Sequence, residues 1–310
     1  MGKIAFVFPG QGSQYIGMGK DFYEKVPVSK AVFDKASEVT GLDLPALCFE
    51  ENEKIHITEY TQIAMLATEV AILRAIEEQG IKPDVTGGLS LGEYGAIVAS
   101  GVMKEEDAFR VVRKRGIFMQ EAVPVGGAMS AVLGLDSSVI EEVLSKTEGT
   151  VSIANYNCPG QIVITGEAEA VAKAGNELKE AGAKRIVPLK VSGPFHSKML
   201  FGAGEKLAEV LNGLELSYFT IPYVANLTAD YVFSPEEVKP LLVKQVSSSV
   251  RWQQSVERMI ADGVDTFVEI GPGRTIAGFV RKIDKEARVI GVDKYEDFEK
   301  CVEELKNASE

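Results

Sequence analysis

Ser90 lies in the octapeptide Gly87-Gly88-Leu89-Ser90-Leu91-Gly92-Glu93-Tyr94, whose inner five residues fit Gly-x-Ser-x-Gly. A short β-like run, Val85-Thr86, precedes it, and an apolar helix-like run over residues 96–99 follows. In that setting the glycines permit a strand-to-helix turn tight enough to present the hydroxyl as a nucleophile. The helix N-terminus behind it would offer free N–H groups and a positive dipole end to a developing oxyanion. The pentapeptide alone fits a plain connecting turn equally well; the flanks favour the nucleophile.

A serine nucleophile needs a base, and the chain holds two histidines. His56, in Lys54-Ile55-His56-Ile57-Thr58, reads as a surface residue, whereas His196 follows a Gly-Pro turn in Ser192-Gly193-Pro194-Phe195-His196-Ser197, at an apparent domain junction. Arg115 is the third group of interest. It falls inside the apolar stripe of a helix over residues 104–121, among Ala108, Val111, Val112, Phe118, Met119 and Ala122. A guanidinium on a buried face requires an anionic partner. Periodicity slightly favours a structural role, an ion pair to an internal Asp or Glu or a side chain that snorkels to solvent, over a two-bond fork for the carboxylate of a ligand.

The elements that would position these groups alternate between strand and helix. Residues 4–8 form a continuous apolar run, read as a buried strand, and it breaks at Pro9-Gly10-Gln11-Gly12-Ser13-Gln14, where ligands bind in open α/β sheets. That loop lacks the Walker lysine and the third glycine of a dinucleotide fingerprint. Residues 61–79 read as an amphipathic helix with the stripe Ile63, Leu66, Val70, Leu73 and Ile76, stopped by Gly80. Residues 126 to about 192 read as a βαββαβ unit with Asp136 capping the helix 137–146. The rest returns to strands at 223–225, 267–270 and 289–292 with helices between, and Gly271-Pro272-Gly273-Arg274 reads as a βα turn. The expected fold class is therefore α/β: a large α/β-hydrolase-like domain with a parallel sheet over 1–125 and 196–310, and a small inserted ferredoxin-like domain over 126–195.

Composition sets outer limits. With 45% hydrophobic and 25% charged residues the chain has the make-up of a globular protein, and its net charge of −12 argues against nucleic acid or an anionic membrane as main partner. Cys48, Cys158 and Cys301 are widely spaced, which disfavours a disulfide framework or a zinc site and makes a reducing cytoplasm the natural compartment. No apolar run reaches membrane-spanning length, and the N-terminal residues fit neither a signal peptide nor a myristoylation site. The sequons at Asn226 and Asn307 then carry no weight.

Taken together these stretches resemble the malonyl-CoA:acyl carrier protein transacylases of bacterial type II fatty acid synthesis, in order and over essentially the whole chain. The resemblance rests on Phe8-Pro9-Gly10-Gln11-Gly12-Ser13-Gln14, the serine elbow, and Arg113-Lys114-Arg115-Gly116 with Met119-Gln120. It continues through Asn155-Tyr156-Asn157-Cys158-Pro159-Gly160-Gln161, Pro194-Phe195-His196-Ser197, Gln245 ahead of Val250-Arg251-Trp252, and Glu269-Ile270-Gly271-Pro272-Gly273. Two positions depart from the family's usual pattern: Leu89 replaces a histidine before the serine, and Ser249 replaces a proline before Val250.

The resemblance implies ping-pong acyl transfer from malonyl-CoA to acyl carrier protein, with no metal or redox cofactor, by a cytoplasmic monomer. It implies that Ser90 is the nucleophile and His196 its base, with the N–H groups of Gln11 and Leu91 forming the oxyanion hole. It further implies that Arg115 grips the malonyl carboxylate, that Phe195, Met119 and Asn155 line the substrate site, and that the main-chain carbonyl near Gln245 orients the histidine. An acidic carrier protein would need a local basic patch, expected at Lys184, Arg185, Lys190 and Lys198, with Arg281 and Lys282 as alternatives. Two rival readings fit the same residues. A serine esterase or thioesterase would need a triad acid and has no use for Arg115, and a non-catalytic acyl-CoA-binding module would leave Ser90 inert.

Overall fold

A computed structural model describes residues 2–307; Met1 and residues 308–310, within the limits read for the large domain, lie outside the described residues. The chain begins with strand β1 (Lys3–Phe8), then helices α1 (Lys20–Lys25), α2 (Pro27–Thr40), α3 (Leu44–Phe49) and α4 (Thr58–Glu78). Strand β2 (Val85–Gly88) leads into α5 (Gly92–Ala99) and α6 (Glu105–Ala122). A second unit follows: β3 (Gly127–Leu133), α7 (Ser137–Lys146), β4 (Val151–Cys158), β5 (Gln161–Glu167), α8 (Ala168–Glu180) and β6 (Arg185–Pro188). The remainder comprises α9 (Phe201–Asn212), β7 (Tyr223–Val224), β8 (Tyr231–Val232), α10 (Pro235–Gln245), α11 (Trp252–Ala261), β9 (Val264–Ile270), α12 (Thr275–Ile283), β10 (Arg288–Val292) and α13 (Tyr295–Asn307).

Two sheets result. The larger has the order β10-β9-β1-β2-β7-β8; its first five strands are parallel and β8 pairs antiparallel with β7. Its central strand β1 is buried from Ala5 to Phe8, as a continuous apolar run requires when helices cover both faces. The smaller sheet is antiparallel, with the order β4-β5-β3-β6. It has its own core of Val132, Ile140, Ile164, Val171 and Leu178.

The boundary between the sheets is bridged by the segment carrying the Ser249 departure. The Val250 N–H donates to the Ala154 carbonyl at 2.8 Å and the Tyr156 N–H donates to the Val250 carbonyl at 2.9 Å, so this segment runs beside β4. The Ser249 hydroxyl adds a bond to the Ile153 carbonyl at 2.5 Å. Serine at this position therefore provides a donor that proline would lack.

Several readings need correction. Helix α4 starts three residues earlier than the periodicity placed it and is buried nearly all round rather than along one stripe, because α2, α5 and α6 all pack on it. Asp136 stands at the N-cap position of α7, yet its side chain makes no capping hydrogen bond. Helices α1 to α3 and α9 went unread. Arg274 is engaged with Asp297 at 2.6 Å, which agrees with Gly271-Pro272-Gly273-Arg274 being a βα turn. No helix among the described residues is long and apolar enough to cross a membrane.

Candidate active site

Ser90 sits at the carboxyl end of β2, between a strand and the first turn of α5, with φ at +54°. The turn is possible only because its neighbours are glycines. A Cβ on Gly88 would come within 1.9 Å of the Gly92 carbonyl oxygen, and one on Gly92 within 2.1 Å of the Phe8 carbonyl oxygen. His196 has φ at +59°, so two of the three positive-φ non-glycine residues in the described chain are the pair singled out by the sequence. Each such conformation costs about 1–3 kcal/mol and persists because the surroundings over-determine it.

The two side chains meet. Ser90 Oγ lies 2.7 Å from His196 Nε2, and His196 Nδ1 lies 2.8 Å from the main-chain carbonyl oxygen of Gln245. That carbonyl can only accept, so Nδ1 carries the proton and Nε2 is left to accept from the serine hydroxyl. Burial, and then the Arg115 charge, lower the histidine to about 4. At neutral pH the ring is therefore an uncharged base.

Arg115 is buried at the same place. Its Nη1 donates to Gln62 Oε1 at 2.7 Å, and its Nη2 donates to Gln245 Oε1 at 2.9 Å and to Ser90 Oγ at 3.2 Å. No carboxylate among the described residues lies within ion-pairing distance of it, and its Nε has no hydrogen-bond partner. The internal acid that periodicity allowed is absent from its contacts. Amides hold the group instead, and the Tyr94 ring lies 5.5 Å from its central carbon.

The cleft above these groups measures about 190 Å³. Gln11, Leu91, Met119, Asn155 and Phe195 all line it, so the structure gathers the sequence-selected lining residues together. Leu89 lines it too and contributes an apolar wall where the family's usual histidine would stand. Neither the Gln11 nor the Leu91 main-chain N–H donates to an acceptor among the described residues. The Gln11 side chain is tied to Thr58 Oγ1 at 3.0 Å, which fixes its loop. Thr275 and Phe279 complete the wall from α12. The first turn of α12 is held by Glu269, whose oxygens accept from the Ile276 and Ala277 N–H groups at 2.9 Å each.

Some members of the site escaped sequence reasoning. Gln62 lay unnoticed beside an apolar stripe. Asn226, dismissed as a sequon, is fully buried: its Oδ1 accepts from the Ser90 N–H at 2.6 Å and its Nδ2 donates to the Gly88 carbonyl at 2.6 Å. The Gln245 side chain also matters beside its carbonyl, since Nε2 donates to the Ser90 carbonyl at 2.9 Å and to Glu93 Oε2 at 2.8 Å. The one available signal was an acid, Glu93, placed directly after the elbow in an otherwise apolar helix.

Residues 5–299 match the family model described as acyl transferase domain. The chain is 47% identical to the malonyl CoA-acyl carrier protein transacylase of Bacillus subtilis, covering 100% of this chain and 99% of that one. Among solved structures, the transacylase of that name from Clostridium perfringens superposes with a TM-score of 0.96 at 42% identity, over 99% of this chain and 98% of that one. A malonyl-transacylase solved in complex with a type II PKS acyl-carrier protein gives a TM-score of 0.95 at 42% identity, over 97% of this chain and 99% of its own. The chain is thus an acyltransferase and belongs to the family of malonyl CoA-acyl carrier protein transacylases.

Proposed function

We propose that this chain moves a malonyl group from malonyl-CoA to the phosphopantetheine thiol of acyl carrier protein, in two stages through a malonyl ester on Ser90. The reading rests above all on one observation: a buried guanidinium with no acid beside it lies 3.2 Å from a hydroxyl that is itself 2.7 Å from a neutral imidazole. A three-carbon thioester with a free carboxylate has an end for each.

In the first stage the malonyl carboxylate lies in the fork of Arg115. Ser90 Oγ attacks the thioester carbonyl as His196 Nε2 takes its proton. The main-chain N–H groups of Gln11 and Leu91 receive the oxyanion, each contributing about 3 kcal/mol. Collapse breaks the C–S bond, and the imidazolium returns its proton to the CoA sulfur. In the second stage the carrier-protein thiol gives its proton to His196 and attacks the ester, and Ser90 leaves with that proton. The Gln245 carbonyl stabilises the transient imidazolium, so no triad acid is needed. Phe195 crowds the space a 2-methyl branch would need; Met119 and Asn155 line the malonyl and thioester path.

We also read the large sheet with its helices as a hydrolase-like domain and residues 126–195 as a separate ferredoxin-like one, with the cleft between them. A monomer suffices, because one chain supplies every group named. Lys198 and Arg251 border a second polar cleft that His196 also lines, which suits an approaching acidic carrier protein.

The test is intact mass after brief exposure to malonyl-CoA. A malonyl adduct is expected on the natural chain and none on Ser90→Ala. The adduct, freed of CoA, should pass to the thiol of carrier protein. No adduct would favour a binding module, and rapid loss of the adduct to water without carrier protein would favour a thioesterase.

A further inference from the structure

Arg115 poses an electrostatic question that its own contacts leave open. A buried cation needs an anion to balance it, yet a carboxylate placed against the guanidinium would fill the fork the substrate requires. The nearest balancing group lies one side chain further on. Glu93 Oε2 accepts from Gln245 Nε2 at 2.8 Å, and the same amide turns its Oε1 to Arg115 Nη2 at 2.9 Å. Glu93 also accepts from the Asn226 N–H at 3.2 Å. Glu93, Gln245 and Arg115 are all about 1% exposed, so the charges face each other in a dry interior. The acid at one side and the cation at the other permit only one orientation of the amide, since the flipped form would set NH₂ against guanidinium.

We propose that Glu93 is the resting counter-charge of Arg115, held one amide away by Gln245 so that the fork stays open, and that it acts as a positioning residue yielding this role to the substrate carboxylate. The inference rests on the reading of Arg115 as the malonyl-binding group. Its consequence is a proton. Once a malonyl carboxylate occupies the fork, two anions share one cation, and Glu93 becomes the easier of the two to neutralise by taking a proton from solvent. Burial already raises Glu93 to about 7, against the opposing pull of Gln245, Asn226 and Arg115. Among the described residues the other ionisable groups that feel Glu93 are Tyr94 on its own helix and Tyr223 of β7, and neither carries an anionic charge at neutral pH. Glu93 ionised above about 7 therefore opposes a second carboxylate; Glu93 protonated below that value does not.

Single-turnover acylation of Ser90 by malonyl-CoA and by acetyl-CoA, followed by intact mass between about pH 6 and about pH 9, tests this. Charges on the CoA portion are common to both donors and cancel in the ratio of their kcat/KM values. In the natural chain that ratio should fall by roughly tenfold as the pH rises through 7, one pKa unit of coupling. In Glu93→Gln, which keeps the shape and an acceptor for Gln245, the ratio should be flat and should exceed the natural value above pH 8. A flat ratio in the natural chain overturns the proposal, and this comparison stands even if Glu93→Gln fails to fold. Arg115→Ala separates the two levels. If it retains a preference for malonyl, the reading of the fork itself fails; if it loses that preference while the natural ratio is flat, only the counter-charge role fails.

Discussion

Helices α4 and α6 are tied by arginines at both ends, Arg113 pairing with Glu59 at 2.9 Å in one of these ties, and Arg74 and Arg115 are held by different partners. At one end Arg74 of α4 meets Glu77 at 2.6 Å and Glu105 of α6 at 2.8 Å. At the other, Arg115 of α6 meets Gln62 of α4 at 2.7 Å and Gln245 at 2.9 Å. Arg74 is partly exposed and neutralised by direct contact; Arg115 is buried and oriented with no carboxylate in contact. Carboxylates satisfy a guanidinium and leave it nothing to do. Amides fix its plane and leave its fork open, which on the proposed function is the difference between a fastening and a receptor.

The sharpest way to break the contrast is to give the receptor a fastening. Gln62→Glu places a carboxylate against Nη1, and Ser90 acylation by malonyl-CoA should fall by about two orders of magnitude, roughly 3 kcal/mol of lost fork. Thermal stability should hold or rise, and an unchanged acylation rate would mean the fork is not where malonyl binds.

His196 senses the receptor's charge directly, and the fastening has no such neighbour. With the ring lowered to about 4 by burial and then by Arg115, acylation should hold down to about pH 5 and then drop tenfold per pH unit below 4. Stability moves the same way. The unfolded ring binds a proton below about 6.5 and the folded one only below about 4, so about 3 kcal/mol is lost as the pH falls across that window. Denaturation curves of His196→Gln should lack that component.

Weakening the fastening instead should leave the chemistry alone. Glu105→Gln should cost about 0.5–1 kcal/mol, visible as a small drop in Tm, with acylation unchanged. A loss of activity there would show the two ends to be coupled. The smallest effect belongs to neither arginine: Lys198→Glu should raise KM for the carrier protein by about 1 kcal/mol or less, near fivefold, and spare the malonyl-CoA half. If both halves suffer equally, the docking patch lies elsewhere.

Much of this was legible in the chain. The elbow announced itself because its glycines are sterically required, and the βαββαβ unit because strand and helix periods alternate cleanly. Position within α6 showed that Arg115 faces inward, but periodicity identifies a face and never the partner across it. Gln62 and Gln245 lie 53 and 130 residues from Arg115 in sequence, so no local pattern could join them. Asn226 was hidden by a motif of another meaning. Asp136 shows the converse: the preferred residue stood at the cap position without making the bond. Local preference fixed elements well; the orientation of amides around a buried charge is a property of the packed interior.

The most direct trial of the open fork is competition. Arg115→Ala and the natural chain are each mixed with equal malonyl-CoA and acetyl-CoA, and the Ser90 adducts are weighed. The natural chain should carry malonyl almost alone, and Arg115→Ala should carry acetyl as readily as malonyl or more so. A variant that still selects malonyl would contradict the assignment of Arg115.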